Sequence, residues 1–81
     1  MNEKVIRKMP RKILEKAVWL RDPLKEIFIA LYAYGPASSS EIAELTDHAR
    51  AYVNMRLNEL VDLGLVKRKH DGRKIKFEVI K

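Results

Sequence analysis

Cysteine and glutamine are absent from this chain of 81 residues, and histidine occurs only twice. Without cysteine the chain can form neither a disulfide nor a thiolate metal site, and nothing marks it as secreted. No uninterrupted apolar run has the length of a signal peptide core or of a membrane span. We therefore expect a cytoplasmic protein with one modest core, as is usual for so short a chain.

The chain also has few of the residues that catalysis or metal binding requires. An enzyme needs a convergent nucleophile, base and electrophile, and phosphate-binding enzymes often carry a glycine-rich loop, but the sequence offers neither. The two histidines, His48 and His70, are far apart in sequence and have no nearby cluster of other metal ligands. We expect no enzymatic activity, no metal and no cofactor.

The charge of the chain is strongly basic. Seventeen Lys and Arg residues against eleven Asp and Glu residues give a net charge of +6 and a pI of about 9.8. The basic excess lies in residues 1–21 and 49–81, whereas residues 22–48 are acidic overall. Two basic segments separated by an acidic one indicate that particular elements face a polyanion, and a protein associated with the nucleoid fits this pattern.

The first half of the chain predicts two helices. Residues 1–9 form an arm or a helical extension, and Pro10 opens a helix over 10–21 in which four apolar residues share one face. Asp22 and Pro23 fit the cap and first turn of a second helix over 22–35, which Gly35-Pro36 ends. The second helix has the more apolar sequence, and we expect it to be the more buried.

Residues 38–63 predict two short helices joined by a tight turn. Ser38 and Glu41 have the spacing of a capping box, which opens the first of these helices. Thr46 or Asp47 is expected to cap the second helix, and Gly64 ends it.

Residues 65–80 predict a hairpin with a two-residue connection at Asp71-Gly72. The whole chain, 1–81, is thus expected to be one domain of mainly α structure with a small β-hairpin, an α+β winged helix-turn-helix.

This ordered set of elements resembles the winged helix-turn-helix of MarR-like and ArsR-like transcriptional regulators, in a small form of the kind found in archaea or their viruses and plasmids. The resemblance covers about residues 23–80 and rests on Gly35-Pro36, the segment 40–45, the apolar positions from Val53 to Leu60, and the segment 63–66 before the basic hairpin. It implies that residues 49–63 enter the major groove of DNA and that the hairpin, as the wing, reaches the backbone or minor groove.

Seven residues of the helix after the turn are predicted to contact DNA once Val53 is placed toward the core. Arg50 suits guanine or phosphate, Asn54 and Asn58 suit adenine, and Met55 and Ala51 suit a thymine methyl group. The remaining two are Tyr52, as a phosphate ligand, and His48, as polar surface beside the groove. An ordinary solvated helix face remains the alternative, and Arg56 is expected to pair with an acidic residue or to reach a phosphate.

Six residues of the wing are predicted to contact DNA: Lys67, Lys69, His70, Arg73, Lys74 and Lys76. A turn at Asp71-Gly72 would place Lys69 opposite Lys74 and Lys67 opposite Lys76, with Val66, Ile75, Phe77 and Val79 toward the core. Opposed like charges destabilise a hairpin, so a polyanion that neutralises them is the simplest explanation. The alternative is that the lysines protect an exposed edge strand from aggregation.

The N-terminal region predicts a homodimer. Ile13, Val18 and Trp19 are its expected interface, since the resemblance implies a two-fold dimer on a pseudo-palindromic site. Two alternatives stay open: these residues complete the core of a monomer, or the N-terminal segment is a basic arm on phosphates.

The predicted function is sequence-specific binding of double-stranded DNA by a transcriptional regulator. A winged-helix module for protein-protein interaction is the main alternative, but such a module would expose apolar rather than basic side chains on its last helix and hairpin. Sequence-independent, architectural binding of nucleic acid is a further alternative. The sequence does not identify a small-molecule effector.

Overall fold

A computed structural model describes residues 9–80 as four helices followed by a two-stranded hairpin. The helices are α1 (Arg11–Val18), α2 (Leu24–Tyr34), α3 (Ser39–Thr46) and α4 (Arg50–Asp62), and the strands are β1 (Val66–Asp71) and β2 (Lys74–Val79). The predicted class, mainly α with a small β-hairpin, is confirmed. The predicted arm lies outside the described residues, apart from Met9, which is buried.

The helix boundaries follow from local signals in the sequence. The capping box at the start of α3 is present, since the side chain of Ser38 accepts a hydrogen bond from the Glu41 N–H and a Glu41 carboxylate oxygen accepts one from the Ser38 N–H. At the end of α4, Gly64 has a φ of 79°, and the N–H of Leu65 donates to the carbonyl of Leu60. The left-handed conformation of Gly64 directs the N–H groups of Gly64 and Leu65 to carbonyls in the last turn of the helix, and so ends it.

Two of the predicted helix caps are wrong. Asp22 does not cap α2, because Pro23 occupies the cap position and no side chain caps that helix. Asp47 ends α3 in a left-handed conformation, with φ 56° and ψ 41°, while Ala49 occupies the cap position of α4. Thr46 donates its hydroxyl proton back to the carbonyl of Ile42 and so does not cap α4 either. The tight turn itself, residues 47–49, lies where it was predicted.

One core joins all the described elements. Each helix contributes one apolar face, and the hairpin covers one end with three side chains; the largest fully buried residues are Ile13, Ile27, Phe28, Leu31, Ile42, Val53, Leu57, Leu60, Val66 and Phe77. Because α2 packs against α3, α4 and β2, it lies at the centre, as its apolar sequence predicted. Among residues 9–80, every helix is too short or too polar to cross a lipid bilayer.

The register of the hairpin differs by two residues from the predicted one. The loop consists of Gly72 and Arg73, so that Asp71 pairs with Lys74 and Val66 pairs with Val79. Gly72 takes the first loop position with a φ of 64°, where a two-residue turn with one left-handed residue requires glycine. The predicted loop would have required a left-handed Asp71 as well.

A third, single-residue strand borders the hairpin. Ala37, in the connection between α2 and α3, exchanges two backbone hydrogen bonds with Phe77, of 2.7 and 3.0 Å. β2 is therefore bonded on both sides, and β1 is the outer strand. No pattern in the sequence predicts this bridge, because one residue is too short for a strand pattern.

Candidate nucleic-acid interface

An open groove lies between the first turn of α4, the start of α3 and the tip of the hairpin. It is lined by Ser38, Ser39, Ser40, Glu41, Arg50, Ala51, Asn54, Arg73, Lys74, Ile75 and Phe77. Five of these eleven residues, Arg50, Ala51, Asn54, Arg73 and Lys74, were predicted to contact DNA. They come from two elements, α4 and the hairpin, that are separated in sequence and brought together by the fold.

The exposed face of α4 carries four of the seven residues predicted on it. Arg50, Ala51, Asn54 and Met55 are all exposed, and Met55 retains 55% of its accessible surface. Within residues 9–80, the guanidinium of Arg50 forms no ion pair and no side-chain hydrogen bond. This first part of α4 therefore presents one free cation and two apolar side chains next to the groove.

The two asparagines of α4 are already bonded inside the protein. Asn54 accepts a hydrogen bond at Oδ1 from the hydroxyl of the buried Ser39, over 2.7 Å. Asn58 donates its amide to the backbone carbonyl of Asn54 (2.9 Å) and accepts at Oδ1 from Arg68 on β1 (3.0 Å). A bidentate contact to adenine needs both ends of an asparagine amide. Both ends of the Asn58 amide already have one internal partner, and in Asn54 the amide oxygen has one while the amino group has none within residues 9–80.

His48 and Tyr52 belong to a half-buried cluster on the side of α4 that faces α2. His48 Nε2 lies 3.0 Å from a carboxylate oxygen of Glu26 on α2, and its ring lies 5.1 Å from that of Tyr52. The guanidinium of Arg56 lies over the ring of Tyr52, at 5.4 Å from its centroid, and is ion-paired with Glu59. Arg56 thus pairs with an acidic residue, one of its two predicted roles.

The wing, defined as residues 66–79, keeps its lysines on one face but does not oppose them as predicted. A shift of two residues preserves the alternation of faces, so Val66, Phe77 and Val79 are buried as expected. Lys69 and Lys76 form the one pair of opposed lysines. Both predicted pairs, Lys69 with Lys74 and Lys67 with Lys76, are wrong, and Ile75 is 45% exposed rather than in the core.

Carboxylates neutralise part of the lysine face. Glu78 lies opposite Lys67, with its carboxylate 3.3 Å from Lys67 Nζ and 3.9 Å from Lys69 Nζ, and Asp71 lies 3.8 Å from Lys76 Nζ. Arg73 and Lys74 at the tip have no such partner within the described part of the chain. Of the wing lysines and arginines without a carboxylate partner, Arg73 and Lys74 line the groove, whereas Arg68 donates to Asn58. His70 is also exposed, on the opposite face of β1, across from Ile75.

Tyr34 and Glu41 fix the start of α3 at the edge of the groove. The Tyr34 hydroxyl donates to Glu41 Oε2 over 2.6 Å, while Oε1 of the same carboxylate accepts from the capping box. The hydrogen bonds from Tyr34 and from the Ser38 backbone lower the pKa of Glu41, and the bond to Glu41, together with its charge, raises the pKa of Tyr34.

Three residues that hold side chains at or near the groove had no predicted role in DNA binding: Ser39, Arg68 and Tyr34. Of these, Arg68 alone left a signal in the sequence, because it is a charged residue on the strand face that the alternation assigns to the core. Its bond to Asn58 joins the wing to α4. For Ser39 and Tyr34 the partner lies on another helix, and no local pattern records it.

The three residues predicted for a dimer interface occupy different environments. Ile13 is 2% exposed in the core of the chain itself, so it has no surface for a second copy, and this part of the prediction is wrong. Val18 and Trp19, at the end of α1, retain 65% and 87% of their accessible surface. Ile13 faces α2 because α1 buries a single narrow face, and Val18 lies off that face.

Comparison with known proteins identifies a family that this chain resembles in sequence. The model of a family described as "MarR family" matches residues 26–74, from α2 to the start of β2. An uncharacterized protein of Archaeoglobus fulgidus is 38% identical over 58 residues, which cover 72% of this chain and 78% of that protein. No solved structure matches the chain.

Proposed function

Because this chain belongs to the MarR family of DNA-binding transcriptional regulators, we propose that it binds double-stranded DNA at specific sequences, with α4 as the recognition helix in the major groove and the wing on the backbone or adjacent minor groove. The main observation in support of this proposal is that three unpaired cations line one groove between α4 and the wing: Arg50, Arg73 and Lys74. A protein with this proposed role would act in the cytoplasm, on the nucleoid. Regulators of this family are not enzymes.

The distribution of free and paired cations supports a division of contacts within this surface. Arg73 and Lys74 lie at the wing tip without carboxylate partners in residues 9–80, which suits phosphates. Lys67, Lys69 and Lys76 each lie within 4 Å of a carboxylate, so their contacts to DNA would compete with internal ion pairs. We expect the tip, with His70 beside it, to supply most of the wing's affinity.

The exposed residues of α4 support the proposal that its first two turns contact the bases. Arg50, Ala51, Asn54 and Met55 lie there, whereas Asp62 is exposed at the end of the helix and Glu59 is held by Arg56. Since a carboxylate repels phosphates, the N-terminal half of α4 is the part that enters the groove deeply. His48, Tyr52 and Asn58 then act mainly by holding α4 against α2 and the wing.

A homodimer is part of the proposal. Val18 and Trp19 are exposed apolar residues at the end of α1, on a part of the chain that takes no part in the groove. Two copies joined there would place two recognition helices on one duplex, and a two-fold dimer needs its half-sites about 34 Å apart, one turn of DNA. A palindromic site would follow from this symmetry.

Selection of duplexes from a random pool by the full chain tests the function and the symmetry together. The expected result is one palindromic motif, with a binding constant that falls steeply as salt increases. In the variant with Arg73→Gln and Lys74→Gln, binding to all duplexes should weaken, and the slope of log K against log salt should decrease by about two. The variant with Arg11→Gln and Lys12→Gln, exposed on α1, is the charge-matched control.

Failure to bind any duplex would overturn the proposal, and equal binding to all duplexes would replace sequence-specific recognition by architectural coating. If the protein has a monomer mass at micromolar concentration and selects a motif without symmetry, the dimer is wrong while DNA binding stands. A Trp19→Ala variant with an unchanged dimer mass would place the interface elsewhere.

A further inference from the structure

The side chains that α4 presents to the groove carry mainly hydrogen-bond donors or apolar groups. Arg50 carries only donors, and Ala51 and Met55 offer apolar surface. Asn54 and Asn58 would ordinarily contribute an acceptor each, but both amide oxygens already accept hydrogen bonds, from Ser39 and from Arg68. Each of these two oxygens thus has one of its two lone pairs engaged within the protein and is turned toward its internal partner.

The bond between Ser39 and Asn54 decides which end of the Asn54 amide faces outward. Ser39 is only 7% exposed, in the packing between α3 and α4, and its hydroxyl donates to Asn54 Oδ1 over 2.7 Å. Oδ1 therefore points toward α3. The amino group, Nδ2, has no hydrogen-bond partner in residues 9–80, and it is the end of the amide directed away from Ser39.

A free amino group and a held carbonyl favour some bases over others. In the major groove, guanine presents two acceptors, N7 and O6, and thymine presents the acceptor O4 beside its methyl group. Adenine presents the acceptor N7 beside an amino donor, and cytosine presents an amino donor alone; in both bases the amino group needs an acceptor on the protein. A donor-only side chain therefore prefers the keto bases, guanine and thymine.

We propose that Ser39 is a specificity-determining, positioning residue: by holding Oδ1 of Asn54, it makes the recognition helix select a keto base, guanine or thymine, where Asn54 meets the DNA, instead of the adenine that a free asparagine takes. This inference rests on the proposed function and deepens it. Arg50 as a donor for guanine, and Met55 and Ala51 as apolar neighbours of a thymine methyl group, extend the same preference along the half-site.

The test compares the motifs selected by the full chain and by three variants. Asn54→Ala identifies the base pair in question, because preference at that position alone should be lost. At this position the unaltered protein should select guanine or thymine. Ser39→Ala frees Oδ1 for the amino group of adenine, so its relative affinity for adenine there should rise about tenfold. Glu44→Gln, at an exposed position of α3 that does not line the groove, is the control and should keep the original motif.

A structural role for Ser39 without a positioning role would lower the melting temperature and leave the base preference unchanged. An unchanged preference in folded Ser39→Ala would therefore overturn the proposal. Adenine at the Asn54 position in the motif of the unaltered protein would overturn it even if Ser39→Ala did not fold. If the unaltered protein selects no motif at all, the proposed function itself fails, so the two failures are distinguishable.

Discussion

The recognition helix α4 and the wing both carry residues predicted to contact DNA, but they differ in how many of their polar side chains are already bonded within the protein. Asn54 and Asn58 on α4, and His48 in the turn before it, each have a partner on another element. At the wing tip, Arg73 and Lys74 have none in the described residues. We infer that contacts to neighbouring elements hold the polar side chains of α4 in place, while the wing tip presents charges without internal partners.

This difference follows from where the two elements lie in the fold. α4 packs against α2, α3 and β1, so its half-exposed polar residues meet side chains from all three. The wing packs only through its buried end, at Val66, Phe77 and Val79. The tip of the wing extends past the core, and both residues of its loop, Gly72 and Arg73, are exposed to solvent.

The largest expected effect comes from breaking the attachment of the wing. Phe77→Ala removes a fully buried ring beside the Ala37 bridge and should lower the free energy of unfolding by about 3 to 5 kcal/mol. Ile75→Ala, on the same strand face but exposed, should lower it by less than about 1 kcal/mol. Urea unfolding followed by circular dichroism measures both. Equal losses in the two variants would contradict the burial of Phe77 and the exposure of Ile75.

A smaller effect is expected from freeing the paired lysines of the wing. Glu78→Gln removes the carboxylate near Lys67 and Lys69, so both should become available to phosphates. DNA affinity should increase at low salt, and the slope of log K against log salt should steepen by about one to two. Glu15→Gln, which removes an exposed carboxylate paired with Arg11 on α1, is the matched control. Unchanged binding by Glu78→Gln would show that this part of the wing does not touch DNA.

The smallest effect concerns the start of α3 and appears in the pH dependence of stability. Because the folded state lowers the pKa of Glu41, this residue stabilises the fold above the ordinary pKa of a glutamate, and the stabilisation is lost as the pH falls through the lowered pKa. Because the pKa of Tyr34 is raised, its contribution is present below the ordinary pKa of a tyrosine and is lost as the pH rises through the raised one.

Tyr34→Phe removes the hydroxyl that bonds Glu41 and should reduce both pH dependences. Melting temperatures of the variant should be lower at neutral pH and should fall less on acidification below the ordinary glutamate pKa. Tyr32→Phe is the control, because the Tyr32 hydroxyl has no hydrogen-bond partner within residues 9–80. An identical pH profile for Tyr34→Phe and the unaltered protein would show that the Tyr34 bond does not stabilise α3.

Much of the fold was predictable because its signals are local. The capping box at Ser38 and the glycine at 64 involve neighbours in sequence, and both lie where they were predicted. The apolar positions Val53, Leu57 and Leu60 repeat with the period of a helix and are buried as expected. The exposed residues Arg50 and Met55 follow from the same period.

The free or bonded state of the site residues was less predictable. Ser39 lies 15 residues before Asn54, and Glu26 lies 22 residues before His48, so neither contact has a local sequence pattern. The hairpin register was predicted wrongly because alternation has a period of two, and a slip of two residues leaves the same side chains on the same face. A left-handed Gly72 fits both registers, but the predicted loop also needs a positive φ at Asp71, which Asp71 does not have.

The sequence by itself determined the four helices, the hairpin, the face of each strand that is buried and the basic character of the wing. These properties depend on the spacing of apolar and charged residues along the chain. Because helices and strands have fixed periods, that spacing decides which residues share a face. Only the tertiary structure decided that Lys67 pairs with Glu78, that Ile13 belongs to the core and that Ser39 holds Asn54. Ion pairs and hydrogen bonds between elements require atoms within about 3 to 4 Å of each other, and packing alone brings distant parts of the chain that close.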